Sequence, residues 1–194
     1  MTQFVSDTLE RVAPEAVIDV FASYGVALTR VPLSEPRLTL IPPLSADGGS
    51  AAPSVAGFIG FSSPAVRGAV LLASTFDVIA RARPPAARKK ALSAHSSSDW
   101  ILARDWAGEL VNQVLGRIKN RMRSVGFTFD VSAPAALSGQ ALSFAKPKSE
   151  RTRPVLFKAH PDSVWFWLDA LWSSEVEPTP GPAGQRKEGD VILF

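Results

Sequence analysis

The chain contains no cysteine. A disulfide framework and thiolate chemistry are therefore excluded, and the composition fits a reducing, cytoplasmic setting. No apolar run approaches the ~18 residues of a membrane-spanning helix, so no membrane partner is expected. The first residues, MTQFVSDTLERVAPE, carry Asp7, Glu10 and Arg11 and no apolar h-region, so they do not read as a signal peptide. There is no GxxxxGK[ST], and no GxGxxG after a strand, so a nucleotide-binding loop is not indicated. Histidine is scarce. His95 lies in a basic stretch and His160 in the turn-like AHPD, and neither has the spacing to a second ligand that zinc requires. Both read as surface residues. Asp162 shares that turn, where Asp is a common turn former, and Asp169 stands alone. Ser62, Ser63 and Ser138 have no credible base and read as turn residues.

What is present suits one globular domain. The chain has 194 residues, 46% of them apolar, enough for a substantial core. Its net charge is +3 and its pI about 9.5, which is mildly basic. Three basic clusters, Arg81–Lys90, Arg117–Arg123 and Lys146–Arg153, could form a stripe for nucleic acid. No aromatic residues interleave with them as stacking platforms, so nucleic-acid binding is disfavoured against a solvated face or an acidic protein partner. The five tryptophans read as core or interface: Trp165, Trp167 and Trp172 lie in an apolar segment, and Trp100 and Trp106 flank the start of a long helix.

Periodicity and turn residues give a coarse map. Residues 14–24 read as a short helix with Pro14 in its first turn, ended by Gly25. Residues 26–31 and 37–41 read as strands, and PPLSADGGSAAP as a loop. Residues 55–61 and 68–73 form a hairpin around SSPAVR, followed by a short helix at 75–81 and a basic linker at 83–98. Ser98 can cap a helix that runs to about Val125 and ends at Gly126. Residues 127–132, 141–145, 154–159 and 164–171 are further strands, although VWFWLDALW also admits a helical turn. Strands grouped in runs and interrupted by single helices argue an α+β fold with a largely antiparallel sheet, packed by the long helix and the shorter N-terminal one. The main domain is expected over residues 10–174. Residues 175–194, EVEPTPGPAGQRKEGD and a final Val191-Ile192-Leu193-Phe194, read as a flexible Pro/Gly-rich tail. The apolar end could add a strand to the sheet or act as a tethered docking peptide.

The long helix, ARDWAGELVNQVLGRIKNRM, carries the chemistry. Asp105, Glu109 and Asn112 are spaced i, i+4, i+7, within a stripe of about 60° on one face. Gly116 falls on the same stripe. The opposite face carries Ala103, Ala107, Val111, Val114 and Ile118, a core-facing pattern. The helix also tolerates two glycines, Gly108 and Gly116, each costing about 1 kcal/mol against alanine. Small residues beside a polar pair leave room for another surface to come close.

These residues resemble the signature of the CheX/CheC/FliY phosphatases of bacterial chemotaxis. There, an Asp or Ser is followed four residues on by Glu, three further by Asn, and roughly two dozen beyond by Pro. Asp105, Glu109, Asn112 and Pro134 fill those places. PEAVIDVFASYGVAL resembles the family's first helix, SVAGFIGFSSPAVRGAVLLAS its central hairpin, and VSAPAALSGQAL the strand and loop after the motif helix. The resemblance implies a phosphatase acting on the phospho-aspartate of a CheY-like response regulator. Asn112 would orient the attacking water and Glu109 would pair with the receiver's lysine. Asp105 and Gly116 would be contact or shape residues, and Pro134 would shape the neighbouring strand and loop. No cofactor of its own is implied, since the Mg²⁺ belongs to the partner receiver. The alternative is a receiver-binding adaptor without turnover. CheC members carry two Glu-x-x-Asn motifs; here Glu15 is followed by Ile18, so only one site is filled, as in CheX. Homodimerisation follows from that likeness, with Trp165–Trp172 as the segment to inspect.

Overall fold

The computed structural model describes residues 2–32, 54–89, 92, 96–139, 142 and 153–173. Among these residues three α-helices and seven strands are formed: α1 (Thr2–Ser23), β1 (Thr29–Val31), β2 (Val55–Ser62), β3 (Val66–Ser74), α2 (Phe76–Arg81), α3 (Ser97–Ser124), β4 (Asp130–Val131), β5 (Ala135–Ser138), β6 (Arg153–Ala159) and β7 (Asp162–Trp172). All strand pairs are antiparallel, in the order β1-β6-β7-β3-β2-β4, with β5 also on β2. The α+β reading therefore stands, and VWFWLDALW is strand, not helix. Residues 37–41, the 42–53 loop, nearly all of 141–145, and the tail from 175 lie outside the described residues.

The first helix is much longer than residues 14–24. It starts at Thr2, and Pro14 lies inside it. An interior proline loses one hydrogen bond and crowds the carbonyl four residues back, at about 3 kcal/mol. Upstream, however, Val5, Leu9 and Val12 are all buried. Each buried aliphatic side chain contributes roughly 1.5–3 kcal/mol, so the extension outweighs the proline. Both long helices end in the same way. After α1, Val26 N–H donates to Phe21 O at 3.0 Å and Gly25 N–H to Ala22 O at 2.9 Å, with Gly25 at φ 73°. After α3, Phe127 N–H donates to Met122 O at 3.0 Å and Gly126 N–H to Arg123 O at 2.9 Å, with Gly126 at φ 78°. These paired bonds to the last turn form a Schellman motif, which requires a left-handed residue. In both, the next residue, Val26 or Phe127, is buried.

The start of α3 lies earlier than Ser98. Ser96 is the N-cap, and its carbonyl accepts from Asp99 N–H at 3.1 Å and Trp100 N–H at 3.2 Å, with no side-chain cap bond. The segment expected as a linker, 83–98, is partly structured: Pro85–Lys89 is a 3₁₀ turn, and Arg83 is buried. The strand expected over 127–132 shrinks to Asp130–Val131, because Phe127 and Phe129 turn into the core instead. The strand at 26–31 shrinks to three residues after the Schellman turn.

Both long helices share one core with the sheet. Leu110, Val111, Val114, Leu115, Ile118 and Met122 of α3 are fully buried, as are Val17, Val20 and Phe21 of α1. The helices run antiparallel. Arg121 reaches Val12 O, Glu15 and Asp19, whereas Tyr24 reaches Gln113 and Trp106. Gly57 of β2 brings α3 close to the sheet: a Cβ there would lie 2.3 Å from Ala107 O. On the neighbouring β5, Ala136 would meet a Cβ on Gly108 at 3.6 Å. The helix thus rests on β2 and β5 through small residues, and its far side is left for other work.

Candidate functional site

The predicted stripe is formed as expected. Ala103, Ala107, Val111, Val114 and Ile118 are buried, while Asp105 is exposed and Glu109, Asn112 and Gly116 are half-buried on the outer side of α3. The three polar side chains differ in how they are held. Asp105 pairs at 3.0 Å with its chain neighbour Arg104, both well exposed. An exposed pair of that kind contributes about 0–1 kcal/mol and fixes little. Glu109 accepts a hydrogen bond from Gln113 Nε2 at 2.8 Å. Among the described residues, no hydrogen bond engages the Asn112 carboxamide. Its donors and acceptor are available to an incoming group. Gly116 has nothing within 4 Å of where a Cβ would stand, so this part of the stripe is open.

Pro134 lies at a break in the sheet edge. β4 pairs with Phe61 and Ser62, and β5 with Val55–Phe58, so 132–134 interrupt what would otherwise be one strand along β2. Proline has no N–H for the ladder, so a break at this position is where it fits. Ser132 bridges the gap. Its N–H donates to Gly60 O at 3.0 Å, and its Oγ accepts from Gly60 N–H at 3.0 Å. Past the break, β5 runs along Gly108. At about 100° per residue Gly108 projects 40° to the Asn112 side of the stripe, while Gln113 and Trp106 flank Glu109 on the other side. β5, which starts one residue after Pro134, thus lies on the Asn112 side of α3 at Gly108.

The matching family model spans residues 55–158, more than half of the chain, and is described as chemotaxis phosphatase CheX. The chain belongs to the CheX family. All four motif residues lie inside the matched span. Solved structures agree on the fold. A CheC-like superfamily protein from Shewanella sp. PV-4 is similar at TM-score 0.65 and 18% identity, covering 84% of this chain and 97% of that one. The chemotaxis protein CheX from Vibrio vulnificus is similar at 0.63 and 16%, covering 82% and 96%. The CheX of a CheX–CheY–BeF3–Mg²⁺ complex from Borrelia burgdorferi is similar at 0.58 and 12%, covering 84% and 96%. No curated protein matches significantly. Among the described residues, no helix is long and apolar enough to cross a membrane.

Several of the remaining sequence candidates have structural places in the CheX-family fold. Several described members of the basic clusters are engaged within the protein. Arg81 donates to Ala159 O at 2.7 Å and His160 O at 3.0 Å, and Arg117 and Arg121 pair with Asp19. His160 is exposed in the β6–β7 turn, and His95 lies outside the described residues. Trp165 and Trp167 stack at 6.0 Å on β7, an interior strand between β6 and β3, and Leu171 is exposed nearby. Two residues at the site escaped the sequence reading: Gln113 and Tyr24. Gln113 follows Glu109 by four, a spacing that places it in reach on any helix. Nothing in the sequence links either of them to the other, 89 positions away, yet Tyr24 OH donates to Gln113 Oε1 at 2.8 Å.

Proposed function

We propose that this chain removes the phosphoryl group from the aspartate of a CheY-like response regulator. The single observation that carries the proposal is the free carboxamide of Asn112, displayed one turn from Glu109 within the span that matches the chemotaxis phosphatase model. The complex of CheX with CheY from Borrelia burgdorferi supports a receiver of that kind as partner.

The chemistry asks little of the phosphatase. An acyl phosphate is already high in energy. Water attacks phosphorus as the bond to the aspartate oxygen breaks, giving inorganic phosphate and the free carboxylate. Positioning and electrostatics supply most of the catalysis in phosphoryl transfer. The receiver holds its own Mg²⁺ and lysine. Asn112 reaches into the receiver's site, where its amide oxygen accepts from the water and holds it in line with the bond that breaks. Glu109 pairs with the receiver lysine and fixes the approach. Asp105 and Gly116 border the contact, and the Pro134 break sets β5 alongside it.

The test is loss of the phosphoryl group from a purified phosphorylated receiver, with and without the protein. Asn112→Ala is expected to lower the accelerated rate about 10²-fold while leaving binding to the receiver intact. An Asn112→Ala protein with full activity would sink the assignment. Binding without acceleration by the wild type would instead mark an adaptor.

A further inference from the structure

Among the described residues, Glu109 is the one polar residue of the stripe that is tethered, through Gln113, to another element of the fold. Gln113 Nε2 donates to Glu109 Oε1 at 2.8 Å, and Gln113 Oε1 accepts from Tyr24 OH at 2.8 Å. The two bonds fix each other's sense. A carboxylate can only accept, so the amide must turn its NH₂ toward Glu109, which leaves its oxygen for the phenol. A flipped amide would set oxygen against oxygen.

Tyr24 is itself held on several sides. It precedes Gly25 in the turn that ends α1. Its ring meets Trp106 edge-on, with centroids 5.4 Å apart at 84°. The Trp106 indole donates to Ala82 O at 2.7 Å, and the Tyr24 carbonyl accepts from the Arg88 guanidinium. The chain of contacts therefore runs from the body of the protein to one carboxylate oxygen. Among the described residues nothing bonds the second oxygen, which leaves it to a cation.

We infer that Gln113 and Tyr24 are positioning residues that hold the Glu109 carboxylate ready for an ammonium group on the docking partner. This rests on the proposed function, in which that ammonium is the receiver lysine. A side chain already held in its bound rotamer loses less entropy on association, so the relay acts on affinity. Asn112, without such a tether, is left to adjust inside the partner.

The experiment uses Tyr24→Phe, which keeps the ring, and Gln113→Met, which keeps the shape, each alone and combined with Glu109→Ala. Three quantities are read: steady-state kinetics on the phosphorylated receiver, affinity for the receiver loaded with beryllofluoride and Mg²⁺, and the NMR order parameter of the Glu109 side chain. Each single variant is expected to raise KM and Kd about three- to tenfold with kcat within about twofold, and to lower Glu109 order. In the Glu109→Ala background neither variant should weaken binding further. An equal effect in that background would overturn the inference and leave the contacts as packing between α1 and α3. Unchanged Glu109 order would overturn it too. A wild type that neither binds nor dephosphorylates any receiver would defeat the functional reading alone; lowered Glu109 order would then still support the relay, and unchanged order would still reject it.

Discussion

On its inner side, α3 sets Ala103, Ala107, Val111, Val114 and Ile118 into the core with no exposed area. On its outer side, the same turns carry an exposed Asp105, half-buried Glu109 and Asn112, and a glycine with open space over it. The inner side is bound by packing density: each atom has neighbours, and any change of volume is felt. The outer side contains what folding stability would not select. An unpartnered carboxamide adds nothing to the core, and Gly116 costs about 1 kcal/mol of helix propensity against alanine. One helix thus separates two demands, and residues on the two sides should respond differently to substitution.

The sharpest way to break that separation is to damage the inner side. Ile118→Ala removes a fully buried side chain and should cost about 2–5 kcal/mol of stability, read by urea unfolding. Phosphatase rate per folded molecule should stay near wild type, because the stripe keeps its geometry. A specific rate that fell in proportion to stability would show that the two sides are not separate. Gly57→Ala is milder in chemistry but strikes the join. Its Cβ would lie 2.3 Å from Ala107 O, and that neighbour is helix backbone, which cannot swing aside. Lifting α3 off β2 should cost about 1–3 kcal/mol and, unlike Ile118→Ala, should also lower the rate per folded molecule, since β5 and the Pro134 break stay behind.

The same division explains what could be read in the sequence. The inner and outer residues of α3 were legible because both follow the 3.6-residue period within a single segment. The β2–β3 hairpin was legible locally too, as two apolar runs around a turn, and Gly126 as the glycine that ends α3. The length of α1 was not. Pro14 reads locally as the start of a helix, and only the burial of Val5, Leu9 and Val12 in a core assembled from distant strands overrides it. Phe127 and Phe129 looked like strand residues because aromatics favour strands, but tertiary packing took them into the core. Pro134 could be picked out by its place in the motif. The hydroxyl of Ser132 that repairs the ladder across from Gly60, 72 positions away, could not. The candidate site shows the same limit. Glu109 and Asn112 are marked by spacing along one helix, whereas the tether through Gln113 depends on Tyr24, brought in by the fold alone.

The smallest expected effect discriminates best, because its two parts have opposite signs. Gly116→Ala adds a methyl where nothing lies within 4 Å, at a residue with ordinary helical backbone. Helix propensity alone predicts a gain of up to about 1 kcal/mol, seen as a Tm about 2–4 °C higher. If the outer side of α3 is pressed against a receiver, the same methyl must intrude on that contact, and affinity should fall several-fold while stability rises. A natural glycine that both weakens its helix and improves binding has a reason to be there. A Gly116→Ala protein that melts higher and binds the receiver as well as wild type would confine the contact to Glu109, Asn112 and the Asp105 end of the stripe.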